Sequence, residues 1–436
     1  MIKKIFKKYF SDNFHKNESV KSISVLILGA LVSQVIPIAV LPVLARVFSP
    51  ESFGVFGTLT SIAGIFTVVG SLKYEMAIVL PPSAGKKQAL ANLSFFILMI
   101  ITLLSLLSVI VAKDFFAALL SDSKFNSGYF FFIPFLLFSG GILNISYQWL
   151  SSEKRFSDIS LIKIILAVVA NGFNIVTGIF CHHPAVLLIG QISGSFAGAG
   201  FFIVQCRDQI KSSAKKISFA KMQVVAREFN RFPIFTAPQH FLNTVSQNLP
   251  AIMLASFFGI QVTGFYIMSR RVLQIPVQLI SDSIRPVLYK KMSDTFNRNE
   301  SIKQLILKPT IGLFAIAVVP AIVFILWAED LFVFFLGPNW VTTGKISMIL
   351  VPWLLLAFIN PPAVTALTVF RRQRMLLLFD TFLTIARVVA ILSGWFFFND
   401  AVKTILIFSV VGVVFNLYIV LYAIFVAKME TGNGKT

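Results

Sequence analysis

The sequence predicts an all-α integral membrane protein with about twelve transmembrane helices. Three observations carry that prediction. Of 436 residues, 57% are hydrophobic and only 13% charged, with a mean hydropathy of +0.84. Soluble domains have roughly a quarter of their residues charged, so a chain this apolar cannot cover a globule with polar surface. The apolar residues come in long runs separated by short polar segments. The 38 Lys and Arg residues lie largely in those segments, scattered along the chain.

Runs of about 20 mostly apolar residues, enough to span a hydrocarbon core, fall at 22–45, 52–72, 88–112, 129–150, 158–180, 185–205, 233–257, 262–288, 309–328, 346–369, 375–398 and 403–427. The first is too long for a signal-peptide core and has no small-residue cleavage site after it, so it reads as a retained helix. With the N-terminus inside, 28 Lys and Arg fall on the inner side and 5 on the outer: Arg46, Lys113, Lys124, Lys345 and Lys403. The positive-inside rule then places both termini in the cytoplasm. It also accounts for the net charge of +20 without nucleic acid, whose binding needs a clustered basic face. This topology puts Cys181 outside and Cys206 inside, so the two cannot pair.

The expected organisation is a basic cytoplasmic segment (1–21), a first six-helix lobe (22–205), a basic cytoplasmic linker (206–232), a second six-helix lobe (233–427) and a cytoplasmic tail (428–436). In the first segment Ile2, Ile5, Phe6, Tyr9 and Phe10 recur at helical spacing among Lys3, Lys4, Lys7 and Lys8. That fits an amphipathic helix on anionic lipid, or a frayed basic tail. The linker carries Lys211, Lys215, Lys216, Lys221, Arg227 and Arg231. A six-plus-six plan is typical of transporters built from two repeats with the substrate between them. A trace of repetition supports it. Leu41-Pro42 precedes Phe53-Gly54-Val55-Phe56, and Leu249-Pro250 precedes Thr263-Gly264-Phe265-Tyr266.

Ionisable groups at bilayer depth are costly and by default face a cavity or a partner. In the eighth run Arg271, Gln274, Gln278, Asp282 and Arg285 share one helical face, over about 21 Å of rise. Arg271 fits that stripe better than Arg270. The stripe reads as the wall of a water-filled cavity, or as a salt-bridge seam against a neighbouring helix. In the eleventh run Asp380, Thr384 and Arg387 share a face, either as a cavity group or as a structural pair. The fifth run offers Lys163, Asn171, Asn174 and Thr177, with snorkelling the alternative for Lys163. The seventh offers Gln239, His240, Asn243, Gln247 and Asn248, which also suit interhelical hydrogen bonding. Pro361-Pro362 after Asn360 is expected to break the tenth helix. The intramembrane charge is net cationic, and arginine's fork suits phosphate, so an anionic, phosphate-bearing cargo is expected.

No nucleotide-binding glycine loop is followed by Lys-Ser/Thr, and no enzyme or cofactor is expected. Cys181-His182-His183 lacks the spaced partners of a metal site and reads as an external loop.

The stretch Gln34…Leu41-Pro42-Val43-Leu44-Ala45-Arg46…Pro50-Glu51-Ser52-Phe53-Gly54 resembles the opening of the Wzx-type polysaccharide flippases, as does Lys73-Tyr74-Glu75-Met76-Ala77-Ile78-Val79-Leu80-Pro81. Leu249-Pro250, Phe257-Phe258-Gly259, Gly264-Phe265-Tyr266, Arg270-Arg271-Val272-Leu273 and Pro276 extend the likeness into the second half. That family shares a superfamily with the MATE exporters and the lipid II flippases. The resemblance implies two six-helix lobes in a MATE-like V, alternating access in a bacterial inner membrane, and undecaprenyl-diphosphate-linked oligosaccharide repeat units of O-antigen or capsule type as cargo. It also implies a polysaccharide polymerase and a chain-length regulator as partners alongside membrane lipids. The implied substrate contacts are Arg271, Arg387 and Lys163, with Lys73 at the cytoplasmic mouth and Gln274, Gln278, Asn243, Gln247 and Asn174 as polar neighbours. Glu75, Asp282 and Asp380 are the carboxylates available for ion coupling. The competing readings are an ion-coupled, multidrug-type antiporter, which would need an acidic cavity, and a non-transport scaffold for polysaccharide enzymes.

Overall fold

The computed structural model describes residues 18–120, 125–207, 219–298 and 300–433. The predicted amphipathic segment at the N-terminus and most of the linker's lysines lie outside these residues, as does the side chain of Asp282. The long helices are α1 (Glu18–Val47), α2 (Pro50–Val69), α4 (Ala84–Ala118), α5 (Phe132–Ser152), α6 (Phe156–Phe180) and α7 (Ala185–Gln205), then α9 (Ala237–Phe258), α10 (Ile260–Asn297), α11 (Lys303–Leu336), α12 (Val341–Ile359), α14 (Gln373–Phe398) and α15 (Ala401–Asn433). Three short helices are α3 (Tyr74–Ala77), α8 (Phe219–Glu228) and α13 (Pro361–Val369). A helix stands at every predicted apolar run. Among the described residues nine helical stretches are long and apolar enough to cross a membrane. Helices α9 and α10 do not meet that test, because they carry the polar stripes read from the sequence. The expected break falls at Asn360, where the prolines open a new helix from its first turn.

The chain folds as two compact units. The first comprises the described parts of Met1–Leu44, Ala63–Lys113 and Gly128–Phe241. Its closest helix pair is α6 on α7, where Gly190, Gly194 and Gly198 recur every four residues and so lie on one face. A Cβ on Gly190 would stand 2.0 Å from Asn174 Oδ1, and one on Gly194 2.6 Å from the Leu166 carbonyl. Small residues at this spacing let membrane helices approach backbone to backbone.

Past α2 the chain of this unit turns through Leu72 and Lys73, both with left-handed backbone (φ 50° and 62°), into α3. Helix α8 lies within the segment expected as a plain linker. Met222 and Val225 are buried against Tyr74, Ala77, Ile78 and Leu90, while Tyr74 donates to the Ala226 carbonyl at 3.0 Å. The Lys86–Glu228 pair adds an exposed tie at 2.7 Å. The signal for α8 was present in the sequence: Phe219, Met222 and Val225 repeat at three-residue spacing among polar residues.

The second unit comprises Ala45–Ile62, Asp114–Ser127 and Leu242–Thr436. Here the two glycine motifs singled out in the sequence meet. A Cβ on Gly54 would stand 1.9 Å from the Ile260 carbonyl oxygen, and a Cβ on Gly264 1.9 Å from the Pro50 carbonyl oxygen. Each glycine meets the carbonyl four residues before the other. The beginnings of α2 and α10 therefore cross in a reciprocal, locally two-fold contact that only glycine permits. Trp340 is fully buried beside this crossing, edge-on to both Phe53 and Phe265 at 5.4 and 6.2 Å, and its indole donates to the Ala45 carbonyl at 2.8 Å. Arg46, a member of the motif that carries the family resemblance, donates to the Phe334 carbonyl at 3.1 Å.

Candidate functional site

Within the second unit a cavity of about 500 Å³ opens among α9, α10, α12, α14 and α15, in the usual range of small-ligand pockets. Helix α10 supplies one wall through Tyr266, Arg270, Gln274, Val277, Ser281 and Arg285. Their spacings of four and three keep them on one face over about 28 Å of helix. Helix α9 contributes Asn243 and Gln247, bonded to each other at 2.7 Å. Pro250, which has no N–H to donate back along α9, lines the cavity beside them. Arg270 Nη1 donates to the Gln247 carbonyl and so ties α10 to this part of α9.

The opposite wall comes from α14 and α15, with Asp380 and Arg387 on the first and Phe408 and Asn416 on the second. Asn360, at the break between α12 and α13, donates to Asn416 Oδ1 at 2.8 Å, and Asn416 donates to the Gly412 carbonyl at 2.7 Å. Arg387 packs into the corner formed by two rings. Its guanidinium carbon is 5.1 Å from the centroid of Trp353 and 5.5 Å from that of Phe408.

Three arginines and one aspartate therefore line the cavity, and among the described residues no ion pair joins Asp380 to any of them. Arg285 and Asp380 are exposed, Arg270 and Arg387 half-buried, and Tyr266, Trp353 and Phe408 buried. Four buried polar atoms of this lining have no hydrogen-bond partner among the described residues: Arg270 Nε, Arg387 Nε, Tyr266 Oη and Asn360 Oδ1. Each such group costs about 1–3 kcal/mol when left unmet. Two of the four, the arginine Nε groups, are donors, Asn360 Oδ1 is an acceptor, and Tyr266 Oη can act as either.

The sequence-derived residues divide. Asn243, Gln247, Gln274, Asp380 and Arg387 come together on the lining. Of the two adjacent arginines, Arg270 lines this cavity, whereas the sequence favoured Arg271, which is not among its lining residues. Gln274 has Arg270 at i−4 and Arg271 at i−3, and both are helical neighbours, so spacing alone could not choose between them. Gln278 is exposed and off the lining.

Lys163 and Asn174 belong to the first unit. Lys163 Nζ lies 5.8 Å from the Tyr147 ring centroid. Asn174 is buried in the α6–α7 seam against Gly190. Lys73 is buried, 3.4 Å from Glu75 Oε1, and Ser71 donates to Glu75 Oε2. Sequence reasoning missed Tyr266, Trp353 and Asn416. Asn416, a lone amide in an apolar helix, was a readable signal. Nothing in the sequence set Trp353 apart from a lipid-facing or core aromatic.

Residues 43–344 match the profile of a family described as polysaccharide biosynthesis protein. Comparison with curated proteins finds no match. Among solved structures, an inward-facing multidrug resistance MATE family transporter of the MOP superfamily superposes with a TM-score of 0.69 at 12% identity, covering 92% of this chain and 95% of that one. The lipid II flippase MurJ in an inward closed conformation superposes with a TM-score of 0.68 at 14% identity, covering 93% and 90%. At these identities the likeness is one of fold.

Proposed function

The chain belongs to the polysaccharide biosynthesis protein family, and from that premise we propose that this membrane transporter flips undecaprenyl-diphosphate-linked oligosaccharide repeat units. The observation that carries the reading is the cavity of the second unit, with Arg270, Arg285 and Arg387 against Asp380 and its unpartnered arginine Nε groups. A diphosphate supplies what this lining lacks, since its oxygens accept charge-assisted hydrogen bonds from guanidinium donors. The side-chain amides of Asn243, Gln247, Gln274 and Asn360 suit the hydroxyls of the first sugar. On the orientation read from the sequence, Arg285 and Asp380 lie toward the cytoplasmic ends of their helices, so the exposed part of the lining faces the compartment where lipid-linked units are made.

The proposed setting is the bacterial inner membrane, beside a polysaccharide polymerase and a chain-length regulator. Coupling to a proton or sodium gradient belongs in this reading to Asp380, the one carboxylate of the described lining. The cationic lining disfavours a drug-cation antiporter. The test is deletion of the gene in its own host. Cells are expected to lose surface polysaccharide and to accumulate the lipid-linked unit on the cytoplasmic face. Unchanged polymer in a strain with no second flippase would overturn the reading.

A further inference from the structure

The ring contacts of Arg387 have a structural origin on α15, where Phe408, Gly412 and Asn416 recur every four residues and therefore share a face. Phe408 and Trp353 stand edge to face, with centroids 5.2 Å apart and planes at 85°, and the Arg387 guanidinium lies against both. Trp353 can occupy its place only because residue 412 has no side chain. A Cβ there would stand 2.4 Å from Trp353 Cδ1 and 2.5 Å from Cγ. Tyr266 packs edge to face on Phe408 in turn, at 6.2 Å and 81°. A guanidinium packed into the corner of two perpendicular rings is held from one flank, and its Nε has no partner among the described residues.

We infer that Gly412, Trp353 and Phe408 are positioning residues that hold Arg387 as an oriented fork, so that the cavity selects ligands able to accept two parallel hydrogen bonds, such as a phosphate or diphosphate. This rests on the reading of the cavity as an anion site. Its distinct content is that geometry, not charge, makes Arg387 work. A lysine keeps the charge but has neither the planar fork nor the flat face that stacks on rings.

The test uses the purified full chain in detergent with farnesyl diphosphate as probe, read by calorimetry and by tryptophan emission. The parent is expected to bind with a change in emission that Trp353→Phe removes. Arg387→Lys, Trp353→Leu and Gly412→Ala are each expected to weaken binding at least tenfold (about 1.4 kcal/mol). Trp353→Phe, which keeps a ring face, is expected to stay within about threefold on the same scale. Should Gly412→Ala fail to accumulate, the Trp353→Phe and Trp353→Leu pair carries the test. Loss of binding in Arg387→Ala with full binding in Arg387→Lys would overturn the fork and leave the anion site standing. Full binding in Arg387→Ala, or none in the parent, would overturn both.

Discussion

Two charged regions of this molecule face opposite conditions. In the first unit Lys73 and Glu75 are both buried, lie 3.4 Å apart and are completed by the hydroxyl of Ser71. In the second, Arg270, Arg285 and Arg387 share a cavity with Asp380 and are not ion-paired to it, and two of their Nε donors are unmet. The first region closes its charge on itself within a turn whose backbone is left-handed at Leu72 and Lys73. The second leaves its charge open. A closed pair contributes to the folded state, whereas an open one carries a cost that a ligand can offset. Residue type does not separate them, since both combine basic side chains with a carboxylate. Partner geometry does.

The largest effect expected to sharpen this contrast is on stability. Lys73→Ala leaves Glu75 buried without its partner, a loss of about 3–5 kcal/mol in comparable sites, and should lower the thermal unfolding midpoint clearly. Replacing both residues, as Lys73→Met with Glu75→Leu, should recover most of that loss. A Lys73→Ala protein melting with the parent would show that the pair is not structural.

Next in size is the opposite pattern. Arg387→Ala should leave abundance and melting near the parent, and Arg270→Ala, which also loses its bond to the Gln247 carbonyl, should lower melting only slightly, while each weakens diphosphate binding by about 1.5–3 kcal/mol, the usual scale for charged hydrogen bonds. Surface polysaccharide should fall accordingly. If these variants melt early and bind normally, the arginines belong with Lys73 as structural charges, and the comparison collapses.

Smaller still is Asp380→Asn, which removes the lining's only described negative charge. Anion affinity should rise by a few-fold at low salt and the gain should shrink as salt is added, because Asp380 and Arg285 are exposed and screened. An unchanged affinity would place Asp380 out of electrostatic reach of the bound anion.

The last test concerns the side from which the cavity loads. Exposed Cys181 should react in whole cells with a membrane-impermeant maleimide. Cys206 is buried near Arg155, and burial pushes its thiol up, so it holds less reactive thiolate near neutral pH and should stay unlabelled. Cys181 that reacts only after the cells are permeabilised would invert the orientation.

The long helices were legible because long apolar runs have no other stable outcome in a bilayer, where every backbone group must bond internally. The break at Asn360 was legible for a similarly local reason, the two prolines that follow it. Helix α8 was not legible, although its three-residue apolar repeat was present, because a ten-residue amphipathic helix holds its form through the surface it packs on, here Tyr74, Ala77, Ile78 and Leu90. The candidate site was legible in part. Arg387, Asp380 and Gln274 announced themselves as ionisable or polar groups at depth. Arg270 and Arg271 could not be told apart, and the fixed places of Trp353 and Tyr266 depend on helices distant in the chain.

The sequence by itself determined what must be local: which segments are helical, which face lipid, and where the costly polar groups lie along each helix. The solvent imposes those properties residue by residue. Tertiary structure alone decided which charges are met and which remain open. Lys73 finds Glu75 two residues away, while Arg387 finds Trp353 from α12 and Phe408 from α15, with Gly412 making the room. Spacing along one helix encodes a face but not what packs against it, and the difference between a charge that is paired and one that is left open lies in that packing.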